Sequence, residues 1–330
     1  MNSSTLNRRS ILRSLAVLAP GFTLSAAQAQ EATFPSKPIR IIVGSAPGAL
    51  LDVSMRLYAE LMSATLKQSV VVENMAGASS TLAARQVAKA APDGYTLLAA
   101  ANTVMTVPHV SKTAGYTARD FVGVGELARS PSLLVVPGNS AHNTLADLVA
   151  AAKKSPGQLP YASAGVATTS HLPAEMFLRQ AGITMTHVPY KGVSAAVPDV
   201  VAGRVHFLMG TATSFAELMK SGGLRALAIT AANRSPAFPD VPTFKELGYP
   251  EVAFDIWVGV LAPAATPRAV IQRLGEAMEA ARSDPALNRR LETTGQAIAP
   301  LRTPERFDAF LREEDEKYRK LVKEANITAD

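Results

Sequence analysis

The sequence predicts an α/β fold made of two strand–helix units. Short apolar, β-branched runs alternate with helical patterns between residues 39 and 100, and the alternation resumes between residues 160 and 230. This spacing is typical of mainly parallel sheets with helices on both faces. The chain has 330 residues, 48% of them hydrophobic, which is enough for two cores. We expect a first lobe over residues 30–131 plus 255–330, and a second over residues 132–254.

The first unit opens with Ile39–Arg56, a β-branched run followed by a Gly/Pro turn and a helix start. In that helix Val53, Leu57 and Leu61 recur at i, i+4 spacing and form a stripe that faces the core. The predicted elements are the helix Asp52–Leu66, the strand Val70–Glu73, a helix ending near Ala90 and the strand Tyr95–Ala100.

Two strand-like runs separate the units, and the capping-box pair Thr144 and Asp147 opens the next helix. The runs are Phe121–Leu127 and Leu133–Pro137. The second unit is predicted to contain strands at Pro160–Ser163, Thr184–Pro189, Val205–Met209 and Ala226–Thr230, and helices at Ser170–Ala181, Ala195–Ala202 and Phe215–Lys220. An extended run leads into three helices that we expect to pack on the first sheet: Val252–Ala262, then Pro267–Arg282, Pro285–Thr293 and Pro304–Asn326.

Residues 1–29 are predicted to be a signal peptide. Arg8, Arg9 and Arg13 form a basic n-region, Ile11–Leu24 is the apolar h-region, and Ala27-Gln28-Ala29 forms a small-x-small cleavage site. The Arg8-Arg9 pair favours a twin-arginine signal, with an ordinary Sec signal as the alternative. The apolar stretch is too short for a membrane span and is interrupted by Pro20. We therefore expect a soluble protein exported to the periplasm.

Composition excludes several classes of function. The chain has no Cys, which rules out disulfides, thiolate metal sites, a Cys nucleophile and a lipid-anchored cysteine. The formal charge of +6 becomes 6 − 3 = +3 without the three signal-peptide arginines. This small, dispersed charge is unlike the basic surface of a nucleic-acid-binding protein. No Walker or GxGxxG motif is present, and we expect no cofactor.

Four βα loops share a composition of glycine, small residues and hydroxyls with little charge: Ser45–Leu51, Gly77–Thr81, Ala101–Thr106 and Ser163–His171. In open α/β sheets, ligands bind where such loops meet at the carboxyl ends of strands. A helix start leaves about four backbone N–H groups unpaired, which suits an anion such as a carboxylate. The alternative for any one loop is that its hydroxyls serve only as helix N-caps.

Catalytic and metal-binding arrangements are weakly represented. The segment Tyr161–Gly165 resembles a nucleophile elbow, but Tyr161 occupies the position where the strained turn needs glycine. None of the histidines has the spacing of a metal ligand: His109, His142, His171, His187 and His206. We therefore expect a protein that is not an enzyme and holds no metal.

Some single residues have both a functional and a structural interpretation. His171 could donate to an anion or make a hydrogen bond within its own loop. Lys191 is the one cation in a candidate loop, and surface solvation is the alternative. Trp257 is the sole tryptophan and is expected to pack at the junction of the lobes. Asp52 and Asp199 lie in first helical turns, where the helix dipole alone explains a carboxylate.

Longer motifs indicate a family. The segment Pro47–Asp52, together with Arg56, resembles the first loop of the tripartite tricarboxylate transporter substrate-binding proteins, the Bordetella uptake gene (Bug) family. The resemblance runs from about Phe34 to the C-terminus. Matching motifs occur at Val72–Asn74, Lys89–Leu98, Tyr161–Leu172, His187–Gly192 and Trp257–Pro267.

The resemblance implies a two-lobed, type II-like periplasmic binding protein that closes on a small organic acid. The first loop and the facing loop of the second lobe would hold one carboxylate, partly through ordered water. The residues implied to line the ligand are Ser45, Gly48, Ala49, Leu50, Leu51, Ser79, Ser80, Asn102, Thr103, Ser163, Gly165, Thr168, Thr169, Ser170, His171, Tyr190, Gly192 and Thr211.

The chain departs from the family pattern in two loops. Where the family usually has Gly-Gly followed by polar residues, this chain has the segment Gly48–Leu51, with leucine at two positions. Met75 stands in place of the usual Arg, and Ser79 in place of Gly. The Cβ of Ala49 restricts positive φ and would alter the loop if that conformation were needed. The two leucines predict a ligand less polar than citrate, for instance an aromatic or short aliphatic carboxylate.

We expect a monomer that delivers its ligand to the membrane permease subunits of a tripartite transporter, with no nucleic-acid partner. A receptor that presents the ligand to a membrane sensor kinase is the first alternative. A secreted serine hydrolase that uses Ser163 with His171 or His187 is the second.

Overall fold

Strands and helices alternate in the computed structural model, which describes residues 34–293, 295–300 and 303–328. The predicted signal peptide lies outside these residues. The strands are β1 Ile39–Val43, β2 Val70–Asn74, β3 Thr96–Ala101, β4 Phe121–Pro137, β5 Pro160–Ser163, β6 Thr186–Pro189, β7 Leu208–Thr211, β8 Leu224–Ile229, β9 Asp255–Pro263 and β10 Ala297–Ile298. The helices are α1 Leu50–Leu66, α2 Thr81–Ala88, α3 Thr103–Val110, α4 Leu145–Lys154, α5 Leu172–Ala181, α6 Val193–Val201, α7 Ala212–Lys220, α8 Arg268–Arg282, α9 Pro285–Thr293 and α10 Pro304–Glu324.

The described strands form one mixed sheet, in the order β2-β1-β3-β9-β4-β7-β5-β6, with β8 and β10 also pairing with β4. Parallel pairs join β1 to β2 and β3, and join β5 to β6 and β7. Pairs that involve β4 or β9 are antiparallel. We call the part built on β1, β2, β3 and β9 the first lobe, and the part built on β5 to β8 the second lobe.

Strand β4 is one continuous element, and the prediction of two separate runs was wrong. It pairs with β9 as far as Pro131 and with β7 and β8 from Ser132 onward. The polar residues that interrupted the apolar pattern are accommodated because Ser130 and Ser132 are buried and donate to carbonyl oxygens. Pro131 lacks an N–H but lies where the strand changes partners, so it does not break a regular ladder.

The direction of the strands makes the carboxyl ends of the two lobes face each other. Strand β4 runs the same way as β3, because β9 is antiparallel to both, whereas β7 runs the opposite way. Val258 of β9 pairs with Ala101 at the end of β3 and with Ala128 of β4, so the end of β3 lies level with Ala128. The end of β7 lies opposite Ser132 of β4. The loops that follow β1–β3 and those that follow β5–β7 therefore point toward the same level of the sheet.

Helices cover both faces of each lobe. In the first lobe α1, α8 and α9 pack on one face and α2, α3 and α10 on the other, so the C-terminal helices return to the first sheet as predicted. In the second lobe α4 and α5 cover one face and α6 and α7 the other. Helix α3 was missed because its sequence begins in a predicted loop and contains Pro108. Strand β10 was missed because it has only two residues.

No described helix combines the length and the apolar character needed to cross a membrane.

Candidate functional site

The loop after β1 is braced by a buried carboxylate. Asp52 is 2% exposed and accepts from Gly48 N–H at 2.8 Å, Asn74 Nδ2 at 2.8 Å and Arg56 Nε at 3.0 Å. Asn74 also donates to Ser45 O, which ties the loop to the end of β2. Burial alone would raise the pKa of Asp52, but its three donors outweigh burial and lower the pKa. Its role is thus more specific than the helix-dipole contact predicted from sequence.

The start of α1 is open to an acceptor. Ala49 is the N-cap and makes no side-chain cap, and the N–H groups of Leu50 and Leu51 have no acceptor among the described residues. Ala49 has φ −69°, an ordinary value for alanine, because Gly48 takes the left-handed conformation at φ +79°. The Cβ of Ala49 therefore causes no strain in this loop. The Ser45 hydroxyl is buried and has no partner in the described structure.

The two leucines differ in placement. Leu51 is 6% exposed and packs in the core of the first lobe, whereas Leu50 is only partly buried at the edge of that core. Met75 is also partly buried, and its N–H donates to Val43 O beside the first loop. The apolar surface near the loops is therefore provided by Leu50 and Met75 rather than by both leucines.

The loop after β2 adopts a strained conformation. Ala78, Ser79 and Ser80 have φ values of 45°, 53° and 70°, which disfavour residues with a Cβ. Ser79 is exposed and occupies the position where the family pattern has Gly. Ser80 Oγ donates to Gly44 O at 3.0 Å, which holds this loop against the first one.

Asn102 serves the packing of the first lobe. Its amide donates to Asp255 O and Tyr318 Oη and accepts from Trp257 N–H, and the residue is fully buried. Both N–H donors of the Asn102 amide are therefore used within the first lobe. Thr103, the next residue, is partly buried at the start of α3. Trp257 is 1% exposed and is the third residue of β9, opposite Arg129 of β4.

In the loop Ser163–His171, most hydroxyls face inward. Ser170 Oγ accepts from Ala164 N–H at 2.7 Å, and Thr168 Oγ1 donates to Gly165 O at 2.7 Å. Ser163 Oγ accepts from Gly165 N–H at 3.0 Å. These side chains shape the turn and leave backbone groups for a ligand. Thr169 is partly exposed, and its N–H and that of Ser170 have no acceptor in the described residues.

A stack of aromatic rings supports this loop from below. His171 lies 4.0 Å from His187 between ring centroids, and His187 lies 5.0 Å from Tyr161. His171 Nδ1 accepts from Ala167 N–H at 3.1 Å, which is the hydrogen bond within its own loop that the sequence offered as an alternative. Tyr161 donates to Glu175. Burial would raise the pKa of Glu175, but donors from His171 and Tyr161 lower it.

Loops of the two lobes are in contact. Thr106 Oγ1 on α3 donates to Ala167 O at 2.8 Å, and Ala167 packs in the apolar cluster of the first lobe. Gly192 is the uncapped start of α6, with φ +110° and open space around it. Tyr190 bonds to Asp199 and is partly buried, and the Thr211 hydroxyl bonds to its own first helical turn.

The geometry of Ser163 and His187 resembles a nucleophile and base but lacks an accessible nucleophile. Ser163 Oγ lies 2.6 Å from His187 Nε2, yet Ser163 is 0% exposed. Burial, and then the adjacent His171, lower the pKa of His187 to about 4, which makes it a weak base at neutral pH. Among the described residues no cluster of three His, Asp or Glu side chains could hold a metal ion.

A cavity of about 510 Å³ lies away from these loops, between α3, α10 and the start of β4 in the first lobe. No residue predicted for the ligand site lines it.

Two α/β lobes whose βα loops point toward the same level of the sheet define a protein of the periplasmic binding class. The chain belongs to the tripartite tricarboxylate transporter receptor family, whose model matches residues 54–327. It is 33% identical over 302 residues to BugT of Bordetella pertussis, covering 91% of this chain and 92% of that protein. The family predicted from the motifs is thus confirmed.

Solved structures agree with this fold. The chain resembles MatC from Rhodopseudomonas palustris with bound malate, at 29% identity and a TM-score of 0.78, covering 88% of this chain and 100% of that one. It also resembles R. palustris Rpa4515 with adipate, at 30% identity and a TM-score of 0.81, covering 89% and 99% of the two chains. The ligands in both structures are small carboxylates.

Proposed function

We propose that the protein is a periplasmic receptor that captures a small organic carboxylate between its two lobes. The observation that carries this proposal is a pair of segments with unpaired N–H groups: Leu50 and Leu51 at the start of α1, and Thr169 and Ser170 in the turn that precedes α5. Unpaired N–H groups at a helix start attract a carboxylate without a charged side chain. A few charge-assisted hydrogen bonds, each worth about 1.5–3 kcal/mol, reach the micromolar range of about −8 kcal/mol.

We further propose that the ligand has an apolar body, as adipate and benzoate do. Leu50 and Met75 present apolar surface beside the first loop, at positions where polar residues are usual for the family. Citrate would leave its additional charged groups against that surface without partners, which is unfavourable. Malate and citrate should accordingly bind more weakly than adipate or benzoate.

A thermal-shift screen tests both statements. A ligand at 100 times its Kd should add about 2.7 kcal/mol to the free energy of unfolding. We expect shifts with adipate or benzoate and smaller ones with malate and citrate. Leu50→Ser should narrow this difference, whereas Val71→Ser, on an exposed outer strand, should not. A panel in which no carboxylate shifts the transition contradicts capture, and tight citrate with silent adipate contradicts the apolar body.

The partner that receives the ligand is, in our proposal, a tripartite transporter permease, in line with the family description. Uptake of radiolabelled ligand by cells that express the receptor with its neighbouring permease genes tests this. Ligand-dependent phosphorylation of a neighbouring sensor kinase without uptake supports the alternative. A hydrolase is disfavoured because the Ser163 side chain is buried. We expect no hydrolysis of p-nitrophenyl esters by the wild type, and therefore no loss of hydrolysis in Ser163→Ala.

A further inference from the structure

His187 contacts the second-lobe loop from beneath and does not itself lie in the turn that precedes α5. It lies on β6, where Val188 packs toward α6 and its neighbour His187 faces α5 and Tyr161, as alternation along a strand requires. Its Nε2 atom is 2.6 Å from Ser163 Oγ. This contact joins the loops that follow β5 and β6.

The distances around Ser163 favour one direction for this contact. Gly165 N–H donates to Ser163 Oγ, and the Thr168 hydroxyl donates to Gly165 O. The hydroxyl proton of Ser163 has two acceptors within reach, His187 Nε2 at 2.6 Å and Gly165 O at 3.1 Å, and we assign it to the nearer one. In this arrangement His187 is neutral, with its own proton on Nδ1.

The surroundings of His187 favour that neutral state. The ionisable groups that face it are His171 and Glu175 from α5 and the Tyr161 phenol from β5. Glu175 is engaged by Tyr161 and lies 3.5 Å from His171 Nε2, so its charge is directed to those partners. Burial and the adjacent His171 lower the pKa of His187 to about 4.

We propose that His187 is a positioning residue of the carboxylate site, acting through Ser163 to hold the Ser163–Ser170 turn in the shape that presents its backbone N–H groups. This inference rests on the proposed function. Because the acceptor nitrogen stays neutral above about pH 5, carboxylate capture is insensitive to pH between 5 and 8 as far as this residue is concerned.

Two measurements test the proposal, and the first needs no ligand. Hydrogen exchange, followed by mass spectrometry, measures how open the peptide of residues 163–171 is. The proteins compared are the wild type, His187→Gln, His187→Leu, Ser163→Ala and the double variant that combines Ser163→Ala with His187→Leu. The amide oxygen of Gln replaces the lost acceptor, whereas Leu offers none. We expect the exchange rate of this peptide to rise roughly tenfold in His187→Leu, which corresponds to the loss of one hydrogen bond. In His187→Gln it should stay within about threefold of the wild-type rate.

The second measurement is calorimetric titration with adipate at pH 8, 7 and 5. The affinity of His187→Leu should fall roughly tenfold and that of His187→Gln should stay near the wild type. The ratio of wild-type to His187→Gln affinity should be constant over this pH range, which cancels the protonation of adipate itself. The double variant should bind adipate no more weakly than either single variant, since each substitution breaks the same Ser163–His187 contact.

His206→Gln is the matched control, because His206 is another partly buried histidine with a lowered pKa and lies at the opposite end of β5. It should leave the 163–171 peptide unchanged. The proposal is overturned if His187→Gln increases exchange of the 163–171 peptide as much as His187→Leu does. It is also overturned if the effects of Ser163→Ala and His187→Leu multiply in the double variant, or if His206→Gln increases exchange of this peptide to the same extent. If adipate fails to bind the wild type, the proposed ligand class is wrong, while the exchange measurement still decides the role of His187.

Discussion

The two candidate anion-binding loops are held in shape by opposite means. In the first lobe a buried carboxylate, Asp52, gathers Gly48 N–H, Asn74 and the half-exposed guanidinium of Arg56. In the second lobe the loop is shaped by hydroxyls and by the imidazole of His187, with the Ser163–His187 contact at the centre. The first loop thus depends on a buried charge with its counter-charge, and the second depends on a hydrogen bond between a hydroxyl and a histidine whose pKa is lowered.

In the proposed site an anion would be bound without a cationic side chain. In both loops the side chains are used to fix the backbone, and the backbone N–H groups remain for the ligand. The Asp52 charge is balanced by Arg56, so it does not repel a carboxylate as an isolated charge would. The second loop requires no balancing charge, but its shape depends on the protonation of a histidine.

The largest effect is expected for Asp52→Ala. The substitution leaves Gly48 N–H and the Asn74 amide without their buried acceptor, and we expect a loss of about 2–4 kcal/mol in the free energy of unfolding. Urea unfolding measures this loss, and ligand-induced stabilisation should disappear with it.

Arg56→Ala is the control for the charge itself. Its side chain is half exposed, so its removal should cost only about 0.5–1 kcal/mol. Equal losses from the two substitutions would show that the ion pair, and not the buried acceptor, braces the first loop.

Ser163→Ala is the corresponding change in the second lobe. Gly165 N–H loses its acceptor and His187 loses its donor, and we expect a loss of about 1–3 kcal/mol in the free energy of unfolding. Thr169→Ala in the same loop should change stability by less than about 0.5 kcal/mol, because its side chain is partly exposed and makes no hydrogen bond in the described structure. Similar losses of stability in the two variants would show that the hydrogen bonds of Ser163 do not stabilise this loop.

Acidification should separate the two loops. The folded pKa of His187, about 4, lies below its unfolded value near 6.5, so its stabilisation is complete above pH 6.5 and is lost between pH 6.5 and 4. Asp52 also has a lowered pKa, and its contribution is lost only below its unfolded value of about 3.9. Allowing for partial exposure, we expect about 1–2 kcal/mol of stability to depend on His187 in this window.

Urea unfolding at pH 7 and pH 4.5, in the wild type and in His187→Gln, measures that dependence. The wild type should lose more stability than the variant as the pH falls. Hydrogen exchange, corrected for its intrinsic pH dependence, should rise in the 163–171 peptide before it rises in the 45–51 peptide. The reverse order would contradict the comparison.

The smallest effect concerns the strained loop after β2. Ser79 has φ +53°, a conformation that costs roughly 1–2 kcal/mol for a residue with a Cβ. Ser79→Gly relieves this cost but increases the entropy of the unfolded chain, so we expect a net gain of up to about 1 kcal/mol. Ser80→Gly should give no gain, because it also removes the hydroxyl that binds Gly44 O. Loss of stability in Ser79→Gly would show that its side chain makes a favourable contact.

Much of the fold follows from patterns along the chain. The capping box at Thr144 and Asp147 and the strand Pro160–Ser163 occur where they were predicted, because both signals are local. The continuity of β4 could not be predicted, because Ser130 and Ser132 are satisfied by carbonyl groups distant in sequence. Hydrophobic periodicity alone therefore predicted two strands where the structure has one.

The sequence delimits the loops predicted to bind a ligand but does not give the contacts of their side chains. Leu51 packs in the core, and the Asn102 amide binds Tyr318 and the backbone of β9. Sequence reasoning did not find these contacts. It also missed the brace formed by Asp52 and Asn74, which are 22 residues apart. Contacts of this kind depend on how β1 and β2 pair, and no spacing along the chain encodes them.

We propose that backbone N–H groups of both lobes, at the start of α1 and in the turn before α5, hold the ligand carboxylate. The most direct test is an amide NMR titration of the ¹⁵N-labelled protein with adipate, or with benzoate if it gives the larger thermal shift. We expect the amide signals of Leu50, Leu51, Thr169 and Ser170 to shift together and to saturate with one Kd. Binding that leaves these four signals unmoved, while arginine side-chain signals shift instead, would contradict the proposal.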